Sequence, residues 1–239
     1  RTATVAGTAI YQASLELVEK GRRIAAQLLE ASAEDIEFDS GNFRVAGTDR
    51  DVTIQQVARA AFDDSKIPAD MELGFDATYH HWAKAYSYPC GCHVAEVEID
   101  EDTGVVEVVR YALVSDFGTV INPMLLEGQL HGGIVQGIGQ ALYEDCRYDP
   151  ETGQLLSGSF MDYCVPRAVH VPDFDWGRTE TVCTTNPLGI KGCGESGPTA
   201  AMPAVMNAIM DALSDCETAG LDMPATPERI WRVLQTAGR

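Results

Sequence analysis

The stretch from Met124 to Glu144 reads as a helix, yet it carries Gly128, Gly132, Gly133, Gly137 and Gly139. Each interior glycine costs a helix up to about 1 kcal/mol relative to alanine. Five in one helix call for an offsetting gain, most simply the close approach of another backbone or of a ligand. Asn122-Pro123 marks the start, with Asn at the cap and Pro where its fixed φ fits and no N–H is needed. Gln129, Gly133, Gln136 and Gln140 fall on one stripe. A solvated polar face accounts for those glutamines but not for the neighbouring glycines. Any fold this chain adopts must therefore bring something thin or close against this helix.

A second glycine-rich stretch, Gly189-Ile-Lys-Gly-Cys-Gly-Glu-Ser-Gly197, holds one carboxylate, Glu195. Lys191, four residues before it, offers a cation to an anionic group. Pro198 and an Ala/Met/Val-rich pattern follow, and a helix N-terminus here would aim free amides at an anion. The residues alone support two readings equally, a solvated turn or an anion-facing loop.

The 239 residues include 36 acidic and 17 basic side chains, for a formal charge of −19. That balance disfavours nucleic acid and anionic membrane, which need clustered Lys and Arg. The 45% hydrophobic content is that of a globular protein. No run of 18 apolar residues is present to span a membrane, and no signal peptide is visible. The chain starts at Arg1, and its first ten residues read as mid-domain sequence, so a fragment or a processed chain is expected. Seven cysteines, odd in number and irregularly spaced, fit a reducing cytoplasm better than a disulfide framework. Cys90-Gly-Cys92 is a weak zinc or iron candidate. Two small buried side chains on or near a strand are the better account of that pair.

Ile10, Ala13, Leu17, Ile24 and Leu28 predict an amphipathic helix of about six turns. Ile36–Phe38 and Phe43–Val45 flank a hairpin turn, and Thr53–Phe62 predicts a shorter helix. Residues 63–90 read as loop plus strand, with a weak boundary near 63–75. Alternation over Ala95–Ile99, a turn at Asp102-Thr-Gly104 and a more buried run Val105–Val114 predict an antiparallel pair. After Asp149-Pro-Glu-Thr-Gly153 come mixed strand and loop segments. A helix over Met202–Leu213, with Pro203 in its first turn, and a last one over Pro227–Leu234 complete the expected elements.

Three segments together point to a family. They are Asp116-Phe-Gly-Thr-Val-Ile-Asn-Pro-Met-Leu-Leu-Glu-Gly-Gln-Leu-His-Gly-Gly133, Gln136-Gly-Ile-Gly-Gln-Ala-Leu142 and Asn186-Pro-Leu-Gly-Ile-Lys-Gly-Cys-Gly-Glu-Ser-Gly197. In this order the chain resembles, over essentially its whole length, the C-terminal part of the molybdenum-binding large subunit of the xanthine dehydrogenase/aldehyde oxidase family. The branch it is most similar to includes aerobic carbon monoxide dehydrogenase and N-heterocycle hydroxylases. The resemblance implies an α+β fold, with mixed antiparallel hairpins and sheets packed by helices, and residues 1–239 forming part of a molybdopterin-binding domain. It implies a hydroxylase that inserts water-derived oxygen into a substrate C–H bond, or oxidises carbon monoxide, with Glu195 as the active-site base. It implies a molybdenum–molybdopterin cytosine dinucleotide cofactor approached by Asp116, Phe117, Asn122, Gln129, Lys191, Gly192, Cys193 and Gly194, and makes Arg1-Thr2 the stub of a cofactor loop. No residue is assigned as a metal ligand.

Phe117 departs from the Cys or Val of several relatives, and Cys193 stands where Val is usual, either a reactive thiol or a filler of a Val-sized gap. The resemblance also implies that the [2Fe-2S] and FAD groups sit on partner subunits. It places an earlier cofactor segment and the substrate-channel loop upstream, on the rest of the large subunit or a separate chain. A non-catalytic relative that only completes the pocket with a partner is the alternative.

Overall fold

The computed structural model describes residues 2–83 and 85–238. The chain divides into two compact units, 1–84 and 85–239, at a point beyond the 63–75 stretch. In the first unit, helix α1 spans Thr2–Leu29, longer than the predicted six turns and reaching back to Thr2. Strands β1 (Ile36–Asp39), β2 (Asn42–Val45) and β3 (Asp51–Thr53) form an antiparallel sheet. The β1–β2 turn places Ser40 and Gly41 at φ 48° and 82°, the two left-handed positions of a tight hairpin. Helix α2 (Ile54–Ala60) starts from a reciprocal cap: Thr53 Oγ1 accepts from Gln56 N, and Gln56 Oε1 accepts from Thr53 N. Ile24, Ala25, Phe43 and Val57 are fully buried between these elements.

In the second unit, β4 (Cys90–Ile99) and β5 (Val106–Asp116) form the predicted antiparallel pair. Strand β6 (Phe174–Thr179) then adds to β5 in parallel, giving the order β4-β5-β6. The sequence reading left β6 among mixed segments. A parallel neighbour needs a long crossover, and everything between β5 and β6 supplies it. Helices α3 (Pro123–Leu142), α4 (Ser196–Ala212) and α5 (Pro227–Thr236) share one core with β5, built on Val108, Tyr111, Leu113, Ile134, Ile138, Val205, Ile209 and Ile230. The buried Tyr111 hydroxyl is satisfied by His93 Nδ1 at 2.7 Å.

The α3 glycines divide by what faces them. A Cβ on Gly133 would lie 2.7 Å from Pro198 Cδ and 3.0 Å from Gly197 Cα. One on Gly137 would lie 2.6 Å from Ala201 Cβ, and one on Gly139 would press on Pro166 and the Glu144 side chain. Gly128 and Gly132 meet nothing within 4 Å. The cost of the inner glycines is offset by the seam they permit. Leu130, Ile134, Ile138, Ala201, Val205 and Ile209 are all fully buried, and each large apolar side chain removed from water contributes about 1.5–3 kcal/mol.

Helix α4 begins at Ser196, earlier than the predicted Met202, so Pro203 lies inside the helix and not in its first turn. Its missing N–H leaves the carbonyl of Thr199 without a helical donor. Thr199 is exposed, so water can take that place. Packing of Ala201, Val205 and Ile209 carries the helix past the break.

Candidate functional site

The site is assembled at the end of β5. Asp116, the last residue of that strand, is buried. Its carboxylate accepts from Gly118 N at 2.8 Å, from Thr181 N at 3.1 Å and from Lys191 Nζ at 3.0 Å. These partners, Thr181 first, then Gly118 and Lys191, hold its carboxyl well below the usual carboxylate range. The cation expected to face an anion is thus engaged by Asp116, and both side chains are 12% exposed. Phe117 is buried in the core, and only its backbone takes part: its carbonyl accepts from Lys191 N at 2.8 Å. Gly118 and Ile190 form an antiparallel bridge, with Gly118 at φ 62° and Gly189 at φ 68°, positions only glycine adopts freely. Asn186 clamps the same segment, donating to Ile190 O at 2.8 Å and accepting from Ile190 N at 3.2 Å.

From Lys191 the chain runs through Gly192, Cys193 and Gly194 to Glu195. A Cβ on Gly192 or on Gly194 would meet nothing within 4 Å, so this edge of the loop is open. Gln129, on α3, donates from Nε2 to Gly194 O at 3.2 Å. Glu195 occupies the N-cap position of α4 with φ −107° and ψ 2°, and its side chain makes no capping bond. Among the described residues, its exposed carboxylate has no hydrogen-bond or ion-pair partner. Just beyond it, Gly197 packs on Gly133 backbone to backbone, which fixes the end of the loop to α3.

The start of α4 offers an anion fewer amides than the motif suggests. Ser196 N donates to Cys193 O at 3.3 Å, Pro198 has no N–H, and Thr199 N closes the first turn on Glu195 O at 3.2 Å. The Ser196 hydroxyl is buried with no partner among the described residues. Asn122 caps α3, accepting from Leu125 N at 3.1 Å. Thr2 is exposed at the start of α1 in the other unit, and Arg1 lies outside the described residues.

Cys193 packs against the core, and burial pushes its thiol up. That favours the filler of a Val-sized gap over the reactive thiol. Cys90 and Cys92 are a correction: both lie on β4 but are exposed, because outward residues of this strand face solvent. Among the described residues, no group of three metal-binding side chains forms. Thr181 and Asn186 were missed by the sequence reading. Thr181 contributes a backbone amide, which carries no sequence signal, whereas Asn186 stood inside the third motif.

Open glycines and a carboxylate without a partner among the described residues are thus held between a clamped bridge and a packed helix pair. The comparisons make this specific. A family model, the molybdopterin cofactor-binding domain, matches residues 1–172, and the chain belongs to that family. It is 41% identical to the gamma subunit of the 6-hydroxypseudooxynicotine dehydrogenase complex of Paenarthrobacter nicotinovorans, over 98% of this chain and 30% of that protein. It is 35% identical to the carbon monoxide dehydrogenase large chain of Afipia carboxidovorans, over 100% of this chain and 29% of that protein. The crystal structure of a Cu,Mo carbon monoxide dehydrogenase matches with TM-score 0.89 and 35% identity, over 100% of this chain and 30% of that one. Quinoline 2-oxidoreductase from Pseudomonas putida 86 matches with TM-score 0.87 and 38% identity, over 98% of this chain and 30% of that one. The chain thus spans about 30% of the length of these curated relatives. The α+β fold expected from the sequence is the fold of these structures.

The residues present fit a pterin group. Gly192 and Gly194 leave their edge of the loop empty, and the Ser196 hydroxyl has no partner among the described residues. A large polar ligand can approach backbone there without displacing a side chain.

Proposed function

We propose that this chain is the cofactor-bearing C-terminal portion of a molybdenum hydroxylase, with Glu195 as the active-site base. The observation that carries the reading is the unpaired Glu195 carboxylate, set on a loop fixed at both ends and flanked by open glycine. The substrate class follows the relatives: an aldehyde or N-heterocycle hydroxylated with water-derived oxygen, or carbon monoxide. The cytosine dinucleotide form of the cofactor is proposed on the same ground.

Gly192 and Gly194 would admit the cofactor, with Gln129 fixing the Gly194 peptide beside it. Asn122 and the backbone around Asp116 and Phe117 would border it. When bound, the group supplies two-electron oxidation and Lewis-acid activation of water. Glu195 would act as the base, taking up a proton at a carboxylate oxygen. With no partner among the described residues, both of its oxygens are available as acceptors. The remaining part of the large subunit would supply the substrate channel, and partner subunits the [2Fe-2S] and FAD groups. Seven free cysteines suit a reducing cytoplasm. No helix is long and apolar enough to cross a membrane among the described residues.

The test is Glu195→Gln in the assembled enzyme. Loss of a general base costs roughly 10²–10⁴-fold in rate, while molybdenum content stays at the wild-type level. Near-normal turnover would remove Glu195 from the mechanism. A correctly matured complex without molybdenum would instead favour a non-catalytic relative.

A further inference from the structure

We infer that the Asp116–Lys191 pair is the positioning device of the base-bearing loop, an inference that rests on the role proposed for Glu195. One carboxylate, at the end of β5, ties down two points far along the chain: Thr181, in the stretch that follows β6, and Lys191, in the loop leading to Glu195. Lys191 is the last residue of that loop with both a backbone and a side-chain tie to the β5 end, Lys191 N to Phe117 O and Lys191 Nζ to Asp116 Oδ1. The next four residues, Gly192 to Glu195, form a short arm. Its own ties are the Cys193 packing, the 3.2 Å bond from Gln129 to Gly194 O, the 3.3 Å bond from Ser196 N to Cys193 O and, at its far end, the 3.2 Å bond from Thr199 N to Glu195 O. Lys191 therefore sets the point from which this arm departs.

Stability alone does not explain an ion pair at this place. Two charges removed from water give back in attraction about what their desolvation costs, and an apolar pair of equal volume is often as stable. The pair does supply direction. A carboxylate already oriented by two backbone amides offers Lys191 Nζ one geometry, and so gives the loop one position. Catalytic groups are sensitive to that position, since a misplacement of about 1 Å can cost about 10²-fold in rate. Lys191 thus acts through Glu195 and not on substrate.

The experiment compares Lys191→Met, Lys191→Arg and Asp116→Asn in the assembled enzyme, with Glu195→Gln in parallel. Lys191→Met is expected to lower kcat by about 10²-fold, with KM, molybdenum content and bound nucleotide at wild-type levels. Lys191→Arg, which keeps the charge, should recover much of the loss. Amide hydrogen exchange of residues 189–196 should quicken in Lys191→Met while the core amides of α3 stay unchanged. Wild-type turnover with unchanged exchange would overturn the inference. So would loss of molybdenum with normal turnover per remaining metal, because Lys191 would then be a cofactor ligand. If Lys191→Met fails to accumulate, Asp116→Asn is read by the same criteria, since it keeps near-identical volume and one acceptor oxygen while removing the charge that holds Lys191. An active Glu195→Gln would remove the base assignment alone, and the exchange measurement would still decide whether the pair holds the loop.

Discussion

Replacing Gly197 with alanine should do more damage than its single methyl suggests. The added Cβ would lie 2.7 Å from both Cα and C of Gly133 and 2.8 Å from Ile134 N. All three are backbone atoms, so no side chain can rotate aside. Relief requires α3 and α4 to part by several tenths of an ångström. A gap of 0.5–1 Å forfeits roughly a quarter to a half of each dispersion contact along the seam. Overpacking of this kind costs about 1–3 kcal/mol, and a rigid backbone contact belongs near the top of that range. Higher helix propensity returns at most about 1 kcal/mol, leaving a net loss of about 2 kcal/mol. For a unit of this size that is a fall of about 4–8 °C in melting temperature. Gly132→Ala is the matched control. It gains the same propensity and meets nothing within 4 Å, so it should raise the melting temperature slightly. Calorimetric scans of the purified protein compare the two. Equal shifts for both variants, or Gly197→Ala melting with wild type, would refute the packing account of these glycines.

The α3 glycines also mark how far the sequence could be read. Their cost required a close neighbour, and the structure supplies one as backbone at Gly133 and as Ala201 at Gly137. Gly128 and Gly132, which look the same in sequence, face open space. Nothing local separates the two kinds, because the difference lies in which side of the helix α4 occupies. The β4–β5 hairpin was legible because period-2 alternation and a turn signal are local. Strand β6 was not, since a parallel partner is chosen across a long crossover. The start of α4 at Ser196 agrees with the helix N-terminus read at Pro198, and it is the narrower Met202–Leu213 range, drawn to keep Pro203 in a first turn, that fell short. At the site, Glu195 and its loop were legible as a motif. The engagement of Lys191 by Asp116 was not, because the two residues are 75 apart in the chain and meet beside the Gly118–Ile190 bridge, a non-local pairing.

Two further outcomes follow from the chemistry of individual side chains. Iodoacetamide should label the exposed Cys90 and Cys92 in the purified chain well before Cys193, whose thiol is raised by burial; mass spectrometry that finds Cys193 modified first would restore the reactive reading. The second outcome concerns acid. Asp116 has a folded-state pKa below its unfolded value of about 3.9, so its contribution to stability is present above that pH and lost as pH falls toward the folded value. Asp116→Asn removes a titrating group and should therefore flatten the dependence of stability on pH below about 4, while leaving the dependence nearer neutrality parallel to wild type. Denaturant midpoints measured across that range test it. Parallel wild-type and variant curves down to the acid transition would mean that the carboxylate is not held ionised by Thr181, Gly118 and Lys191.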